Sequence, residues 1–235
     1  FLAAQPACAF SQETIALAKY AGSMKKVEVA IGGKPYAFLF DSGGGETIIS
    51  TELANLYCKK VYGRGYGFRM HGEKQAYQKC DNLNMRLGNT DLYHPTLAVF
   101  DLMPYLPPGL PKADGLISLK SFQDKIVSLD LGNNKIIFES GRSARKKQKR
   151  MTLLDSRFVN GLGGTELNIL VGIRRDDKLY WFLFDSGYGA VPPISPQTAY
   201  EWGLQADAVS TGTIHNAQIS FGGKTETADF VADDI

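Results

Sequence analysis

The sequence predicts a mostly β protein made of two related lobes, and three observations support that prediction. The six residues Phe-Leu-Phe-Asp-Ser-Gly occur twice, at 38–43 and at 182–187. Each copy follows an alternation of apolar and polar residues with the period of two that is typical of β-strands. The 235 residues are 44% hydrophobic, which is enough for a packed core. No apolar run reaches the roughly 18 residues of a membrane span.

The first copy predicts a β-hairpin within residues 25–53. A strand-like alternation over residues 27–31 leads into the turn Gly32–Pro35, and the chain returns through the apolar run Phe38–Phe40. A continuous apolar run of this kind is typical of a strand that is buried on both faces.

Residues 165–199 repeat this pattern. An alternation over residues 167–171 leads into a charged turn at 174–178, and the chain returns through an apolar run that ends at Asp185. Two hairpins that end in the same six residues, 144 positions apart, indicate an internal repeat. A short helix is predicted after each hairpin, at 51–58 and 197–203, with Ser50 and Ser195 as caps.

Each apolar run places a carboxylate, Asp41 or Asp185, at the edge of the core. An ionised carboxylate there is costly unless hydrogen bonds satisfy its oxygens. The residues that follow supply hydroxyls and backbone amides for that purpose: Ser42, Gly43, Ser186 and Gly187. A two-fold repeat brings the two carboxylates to one axis, where like charges cannot both ionise easily and one proton is shared. Such a pair can activate a water molecule to attack an amide carbonyl without a covalent intermediate.

At these residues the chain resembles the pepsin/retropepsin superfamily of aspartic proteases, and especially bacterial retropepsin-like aspartyl proteases. Asp41–Ser50, DSGGGETIIS, is similar to the family's Asp-Thr/Ser-Gly-Ala/Ser motif, and residues 113–140 are similar to the segment that completes a lobe. The resemblance implies a bilobal, mainly all-β, acid-protease-like fold with barrel-like lobes, short helices and a cleft between the lobes. It implies an aspartic endopeptidase that uses Asp41 and Asp185 as the catalytic pair and needs no cofactor.

Three positions depart from the family's pattern. Gly44 and Tyr188 stand where Ala or Ser is usual, and Ser118 replaces a glycine behind the first catalytic turn. The bulky Tyr188 would narrow the cleft, and Ser118 would strain or shift its loop. These departures favour an alternative function, a catalytically weak or inactive pepsin-like module that binds peptides or proteins. A first lobe that pairs with a second copy of itself is a further and less economical alternative.

The resemblance also implies a flap, a hairpin that folds over substrate, within residues 61–87. Glycines and aromatic residues are frequent in its first half, as suits a mobile hairpin tip. Tyr66 is a candidate for substrate contact in this segment, and Tyr188 is a second candidate beside the catalytic pair.

The N-terminus resembles the end of an export signal. Residues 1–9 are apolar and close on Ala7–Ala9, small residues at the spacing that a signal peptidase accepts. A short apolar helix of the mature protein is the alternative. Export to the periplasm or the medium would remove Cys8 and leave Cys58 and Cys80, which either form a disulfide or remain two half-buried thiols.

Four segments follow from the repeat. The basic run RSARKKQKR falls between the copies, where we expect a solvated linker. By repeat arithmetic, the second lobe reaches residue 235 without counterparts of residues 102–140, so we expect its C-terminal part to be missing. The segments are the end of the export signal and an N-terminal segment (1–24), the first lobe (25–140), the basic linker (141–163) and the second lobe (164–235).

The charge distribution argues against nucleic-acid or membrane partners. The net charge is +2, and six basic residues lie within 142–150, so the remaining residues carry −4 and form no basic face. His71, His94 and His215 share no ligand spacing with each other or with cysteine, so no metal site is predicted. We expect a monomer with two pseudo-symmetric lobes that acts on a peptide or protein substrate.

Overall fold

The computed structural model describes residues 12–69, 72–161, 164–204 and 212–233. Within these ranges the protein is predominantly β-sheet, which confirms the prediction of a mostly β fold. The predicted signal end at residues 1–9 and His71 lie outside the described residues. Three short helices accompany the strands: α1 Thr51–Tyr57, α2 Gly141–Gln148 and α3 Pro196–Glu201. No helix of the described residues is long and apolar enough to cross a membrane.

The first lobe contains an eight-stranded sheet in the order β2-β3-β4-β9-β5-β8-β7-β6, in which β3 also pairs with β7. That extra pairing curls the sheet back on itself. A second, three-stranded sheet has the order β1-β11-β10. The strands of both sheets are β1 Glu13–Ala16, β2 Ala18–Ala21, β3 Met24–Ile31, β4 Lys34–Phe40, β5 Ile48–Ile49, β6 Val61–Phe68, β7 Lys74–Leu87, β8 Thr90–Val99, β9 Gly115–Ile117, β10 Val127–Asp130 and β11 Lys135–Phe138.

Strand β9 lies between β4 and β5 and completes the first lobe. Gly115 pairs with Phe38 in parallel register and with Ile49 in antiparallel register. A Cβ atom on Gly115 would lie 2.3 Å from the Ile48 carbonyl oxygen, so only glycine allows this close approach. The insertion fixes both ends of the turn that carries Asp41.

The second lobe repeats the hairpin, the short strand, the helix and the long hairpin of the first. Its six-stranded sheet has the order β12-β13-β16-β17-β15, with β14 also paired to β13. Among its described residues, no strand lies between β14 and β15, the position that β9 occupies in the first lobe. The strands are β12 Ser156–Val159, β13 Asn168–Arg175, β14 Lys178–Leu183, β15 Pro193–Ile194, β16 Thr213–Phe221 and β17 Lys224–Ala232.

The helices after the two hairpins begin where the sequence predicts. The Ser50 hydroxyl accepts a hydrogen bond from the Leu53 N–H at 3.3 Å, and the Ser195 hydroxyl accepts one from the Thr198 N–H at 3.2 Å. Each cap satisfies an N–H group that the first helical turn cannot pair internally.

The main hydrophobic core lies inside the first lobe. Its largest fully buried side chains come from alternate positions of neighbouring strands: Phe38, Phe40, Phe138, Ile31, Met85 and Leu92. A separate, smaller core in the second lobe packs Trp202 edge-on against Phe230 at 4.9 Å between ring centroids. Each lobe therefore has its own hydrophobic centre, and the two DSG turns lie between them.

Two boundaries differ from the sequence prediction. Residues 13–21, expected in an N-terminal segment, pair with β11 and β3 and so belong to the first lobe. The expected solvated linker contains helix α2 and strand β12. Helix α2 forms because Ser140 caps it and because Lys147 makes an ion pair with the buried carboxylate of Glu139.

Candidate active site

The two DSG turns face each other at the junction of the lobes. Asp41 follows β4, whose last three residues are buried as predicted, and Asp185 follows β14. The second run is less buried than predicted, because Leu183 is 43% exposed. In the first lobe, β9 covers the edge of β4. The equivalent edge of β14 is open among the described residues, which accounts for the exposure of Leu183.

The glycine after each aspartate approaches the aspartate of the other lobe. A Cβ atom on Gly43 would lie 2.5 Å from Cγ of Asp185, and a Cβ atom on Gly187 would lie 2.6 Å from Cγ of Asp41. These reciprocal contacts have two-fold symmetry. The structure thus brings together the two carboxylates that the sequence singles out, and glycine at both positions is what allows it.

Backbone amides hold the two carboxylates in place. The Gly43 N–H donates to Asp41 Oδ1 at 2.8 Å. The N–H groups of Gly187 and Tyr188 donate to Asp185 Oδ1 at 2.7 and 3.1 Å. Each aspartate therefore accepts hydrogen bonds from its own glycine turn, as the sequence predicts.

The serines perform a different task from the predicted one. The buried Ser42 hydroxyl donates to the Phe184 carbonyl oxygen at 2.7 Å and accepts from the Ser186 N–H at 2.8 Å. The Ser42 N–H in turn donates to the Ser186 hydroxyl at 3.1 Å. Ser42 and Ser186 thus bind one DSG turn to the other, and their hydroxyls orient the aspartates through the backbone rather than by direct contact.

The environment of Asp41 favours its protonated form. Burial, the charge of Asp185 and a hydrogen bond to the Asp185 side chain raise the pKa of Asp41 to about 7, although the amides of Gly43 and Gly187 oppose the shift. Asp41 therefore keeps its proton up to about pH 7, and the neighbouring carboxylate of Asp185 can share that proton. A shared proton of this kind supplies a general base and a general acid at the same place.

A buried hydroxyl cluster supports the first turn, and most of its members were not predicted. Thr47 Oγ1 lies 2.6 Å from Ser121 Oγ and 3.2 Å from Ser118 Oγ. The Ser118 hydroxyl also donates to the Gly45 carbonyl oxygen at 3.1 Å. Ser118, expected to strain or shift its loop, instead ties β9 to the first DSG turn. Thr47 and Ser121 gave no signal in the sequence because isolated hydroxyl residues are common in loops.

The segment predicted to contain the flap forms the hairpin of β6 and β7. Phe68 and Arg69, near the tip, line the cavities on both sides of Gly43. Tyr66, the predicted contact, lines neither cavity and is 42% exposed, with Lys74 Nζ 3.7 Å from the centre of its ring. The β6–β7 pairing shifts register between Tyr62 and Gly65 but is regular from Gly65 to Phe68, so Tyr66 and Phe68 lie on the same face of β6. They differ in their position along the strand, and Phe68 stands at its end.

Two cavities flank the aspartates. One, of about 300 Å³, lies under the flap against the first lobe, and we call it the flap pocket. The other, of about 1010 Å³, lies along the gap between β14 and β15 and is lined by Tyr188 and Asp185 among others. Tyr188 thus forms part of a cavity wall beside Asp185 in the described structure.

Glu46 and Glu166, which were not singled out in the sequence, meet at the flap pocket from opposite lobes. Glu46 Oε1 accepts hydrogen bonds from the Tyr77 hydroxyl at 2.9 Å and from the Thr165 hydroxyl. Burial and the charge of Glu46 raise the pKa of Glu166. No sequence signal relates these residues, since they are 120 positions apart.

A disulfide joins Cys58 to Cys80, so the structure places these residues as a pair rather than as free thiols. It connects the end of α1 to β7 and so ties the base of the flap hairpin to the first lobe. No group of three or more metal-ligating side chains occurs among the described residues.

No protein-family model matches the chain, and no curated protein matches it. Among solved structures, the chain is similar to a retropepsin-like aspartic protease from Rickettsia conorii, with 11% sequence identity and a TM-score of 0.39. The match covers 55% of this chain and 89% of that structure.

Proposed function

We propose that the protein is an aspartic endopeptidase that hydrolyses peptide bonds with a water molecule held between Asp41 and Asp185. The reciprocal approach of Gly43 to Asp185 and of Gly187 to Asp41 is the observation that supports the proposal most strongly. It implies a carboxylate pair with one shared proton, which is the arrangement that this chemistry requires.

In the proposed reaction, the ionised carboxylate takes a proton from the water as its oxygen attacks the carbonyl carbon of the peptide. The protonated carboxyl group donates a hydrogen bond to the carbonyl oxygen, where negative charge develops. Collapse of the tetrahedral intermediate breaks the C–N bond, and the amine nitrogen takes a proton from the pair. Asp41 and Asp185 exchange acid and base roles, so neither role belongs to one residue alone.

The surroundings supply the other requirements of a peptidase. The Ser42–Ser186 hydrogen bonds hold the two turns in fixed relation, and Phe68 and Arg69 of the β6–β7 hairpin line the cavities beside Gly43. A hairpin in this position excludes water from the bound peptide. The disulfide Cys58–Cys80 supports the further proposal that the protein is exported to the periplasm or the medium, since disulfides persist in oxidising compartments.

Cleavage of denatured casein across pH 3–7, with and without pepstatin, tests the proposal. We expect pepstatin-sensitive cleavage that is lost in Asp41→Asn. Asp176→Asn is the matched control, since Asp176 is 86% exposed and has a positive φ of 47° that asparagine tolerates. If the folded protein cleaves nothing at any pH, the proposal is wrong and the alternative, a peptide-binding module, takes its place.

A further inference from the structure

The flap pocket combines apolar walls with an acidic end. Its walls include aliphatic and aromatic side chains of the first lobe: Ile48, Ala98, Phe100, Leu102 and Tyr105. Glu46 and Glu166 provide the carboxylates. Lysine and arginine side chains have the matching shape, an apolar stem that ends in a cation. At about 300 Å³, the cavity has room for a single side chain rather than a large ligand.

The two carboxylates lack a cationic partner within the described structure. Glu46 is 8% exposed, and its two hydrogen-bond donors, Tyr77 and Thr165, are neutral hydroxyls that leave its charge uncompensated. Neither glutamate forms an ion pair with a described lysine or arginine. A buried carboxylate of this kind gains most from a cation that arrives with its own apolar stem.

Arg69 and Lys79 act near the glutamates, but neither forms an ion pair with them. Arg69, which also lines the flap pocket, pairs with Glu73 at 3.4 Å and lies 5.6 Å from the centre of the Tyr105 ring. Lys79 lowers the pKa of Glu166, but burial and the charge of Glu46 outweigh it and the net shift is upward. The pKa of Glu166 is raised by burial first and by repulsion from Glu46 second, and a bound cation would oppose both by favouring the ionised carboxylate.

The flap pocket is next to the proposed catalytic pair. Gly43 and Gly44 line it, and a Cβ atom on Gly44 would lie 3.5 Å from Asp41 Oδ2. We propose that the flap pocket binds a lysine or arginine side chain of the substrate close to the scissile bond, and that Glu46 and Glu166 determine this specificity. The inference rests on the proposed peptidase function because it treats the bound peptide as a substrate. Binding of the lysine or arginine side chain can nevertheless be measured without turnover.

Isothermal titration of the Asp41→Asn variant with two hexapeptides tests the binding. The peptides are identical except that one carries lysine and the other norleucine, which keeps the apolar stem and removes the charge. We expect the lysine peptide to bind about tenfold more tightly or better. Glu166→Gln in the same background should remove most of that preference, and Glu46→Gln, which keeps an acceptor for Tyr77, should reduce it.

Glu52→Gln is the matched control, because Glu52 is 64% exposed and pairs with Lys112 away from the cleft. It should leave the preference unchanged. Equal binding of the two peptides, binding of neither, or a preference that survives both glutamate substitutions would overturn the inference. Casein cleavage without enrichment of lysine or arginine near the cut bonds would overturn it too and leave the peptidase function standing. Lysine-selective binding without any cleavage would support the pocket and count against the peptidase.

Discussion

Gly43 of the first lobe lies so close to Asp185 of the second that a single added methyl group would stand 2.5 Å from the carboxyl carbon. Asp185 can move away from such a methyl group only if the two DSG turns separate. The Ser42–Ser186 hydrogen bonds would have to break for that movement. Because of this contact, Asp41 and Asp185 keep their spacing only if position 43 has no side chain.

Gly43→Ala should therefore abolish most of the proposed activity. A displacement of about 1 Å between reacting groups costs roughly 100-fold in rate, so we expect kcat/KM for a peptide substrate to fall at least that far. Gly132→Ala is the control, because a Cβ there would meet its nearest neighbour at 3.9 Å. Equal activity of both variants and the wild type would contradict the close contact.

The raised pKa of Asp41 predicts how stability changes with pH. The folded protein binds this proton up to about pH 7, whereas an unfolded aspartate loses it near pH 3.8. Between these values the folded state holds more protons, so this group's contribution to the free energy of unfolding falls as the pH rises. Asp41→Asn removes the effect, and its melting temperature relative to the wild type should rise from pH 4 to pH 7. A constant difference across that range would contradict the shift.

His94 should act in the opposite direction. Its side chain is buried, its Nε2 atom has no hydrogen-bond partner among the described residues, and burial lowers its pKa to about 4. An unfolded histidine binds a proton near pH 6.5, so this group's contribution to stability is lost as the pH falls from about 6.5 to 4. In urea titrations, His94→Gln should lose less stability than the wild type over that interval. A parallel loss in both proteins would contradict the lowered pKa of His94 in the folded state.

The disulfide should stabilise the first lobe. It closes a loop of 22 residues, for which loop-closure entropy predicts about 3 kcal/mol. Urea unfolding of the protein with and without dithiothreitol should show a loss of that size. The Cys58→Ser, Cys80→Ser double variant should have the same free energy of unfolding as the reduced protein, and dithiothreitol should not change it. A reductant effect that persists in the double variant would assign it to another cause.

The hydroxyl cluster behind the first DSG turn should also contribute to the stability of the folded protein. Thr47→Val keeps the shape of the side chain but leaves the Ser118 and Ser121 hydroxyls without this partner. An unsatisfied buried polar group costs about 1–3 kcal/mol, and we expect a loss of that size in the free energy of unfolding. Thr227→Val, on the exposed face of β17, should change stability little. Equal effects of both substitutions would argue against the cluster.

The sequence alone determined the repeat, the mostly β class, the helix caps at Ser50 and Ser195, and the pair of aspartates. Each of these depends on residues close together in the chain: a period of two, a turn, a cap, or a motif present twice. Local rules could also place the flap segment as a hairpin, but they could not show that Phe68, at the end of β6, lines the cavities while Tyr66 on the same strand face does not.

Only the tertiary structure decided which distant residues meet. The exchange of hydrogen bonds between Ser42 and Ser186, and the meeting of Glu46 with Glu166 at the flap pocket, join positions more than 100 residues apart. The Ser118 hydroxyl likewise reaches the Gly45 carbonyl oxygen only because β9 inserts between β4 and β5. The physical reason is that strand pairing and lobe contact choose such partners, whereas local sequence patterns record only the chain's own neighbours.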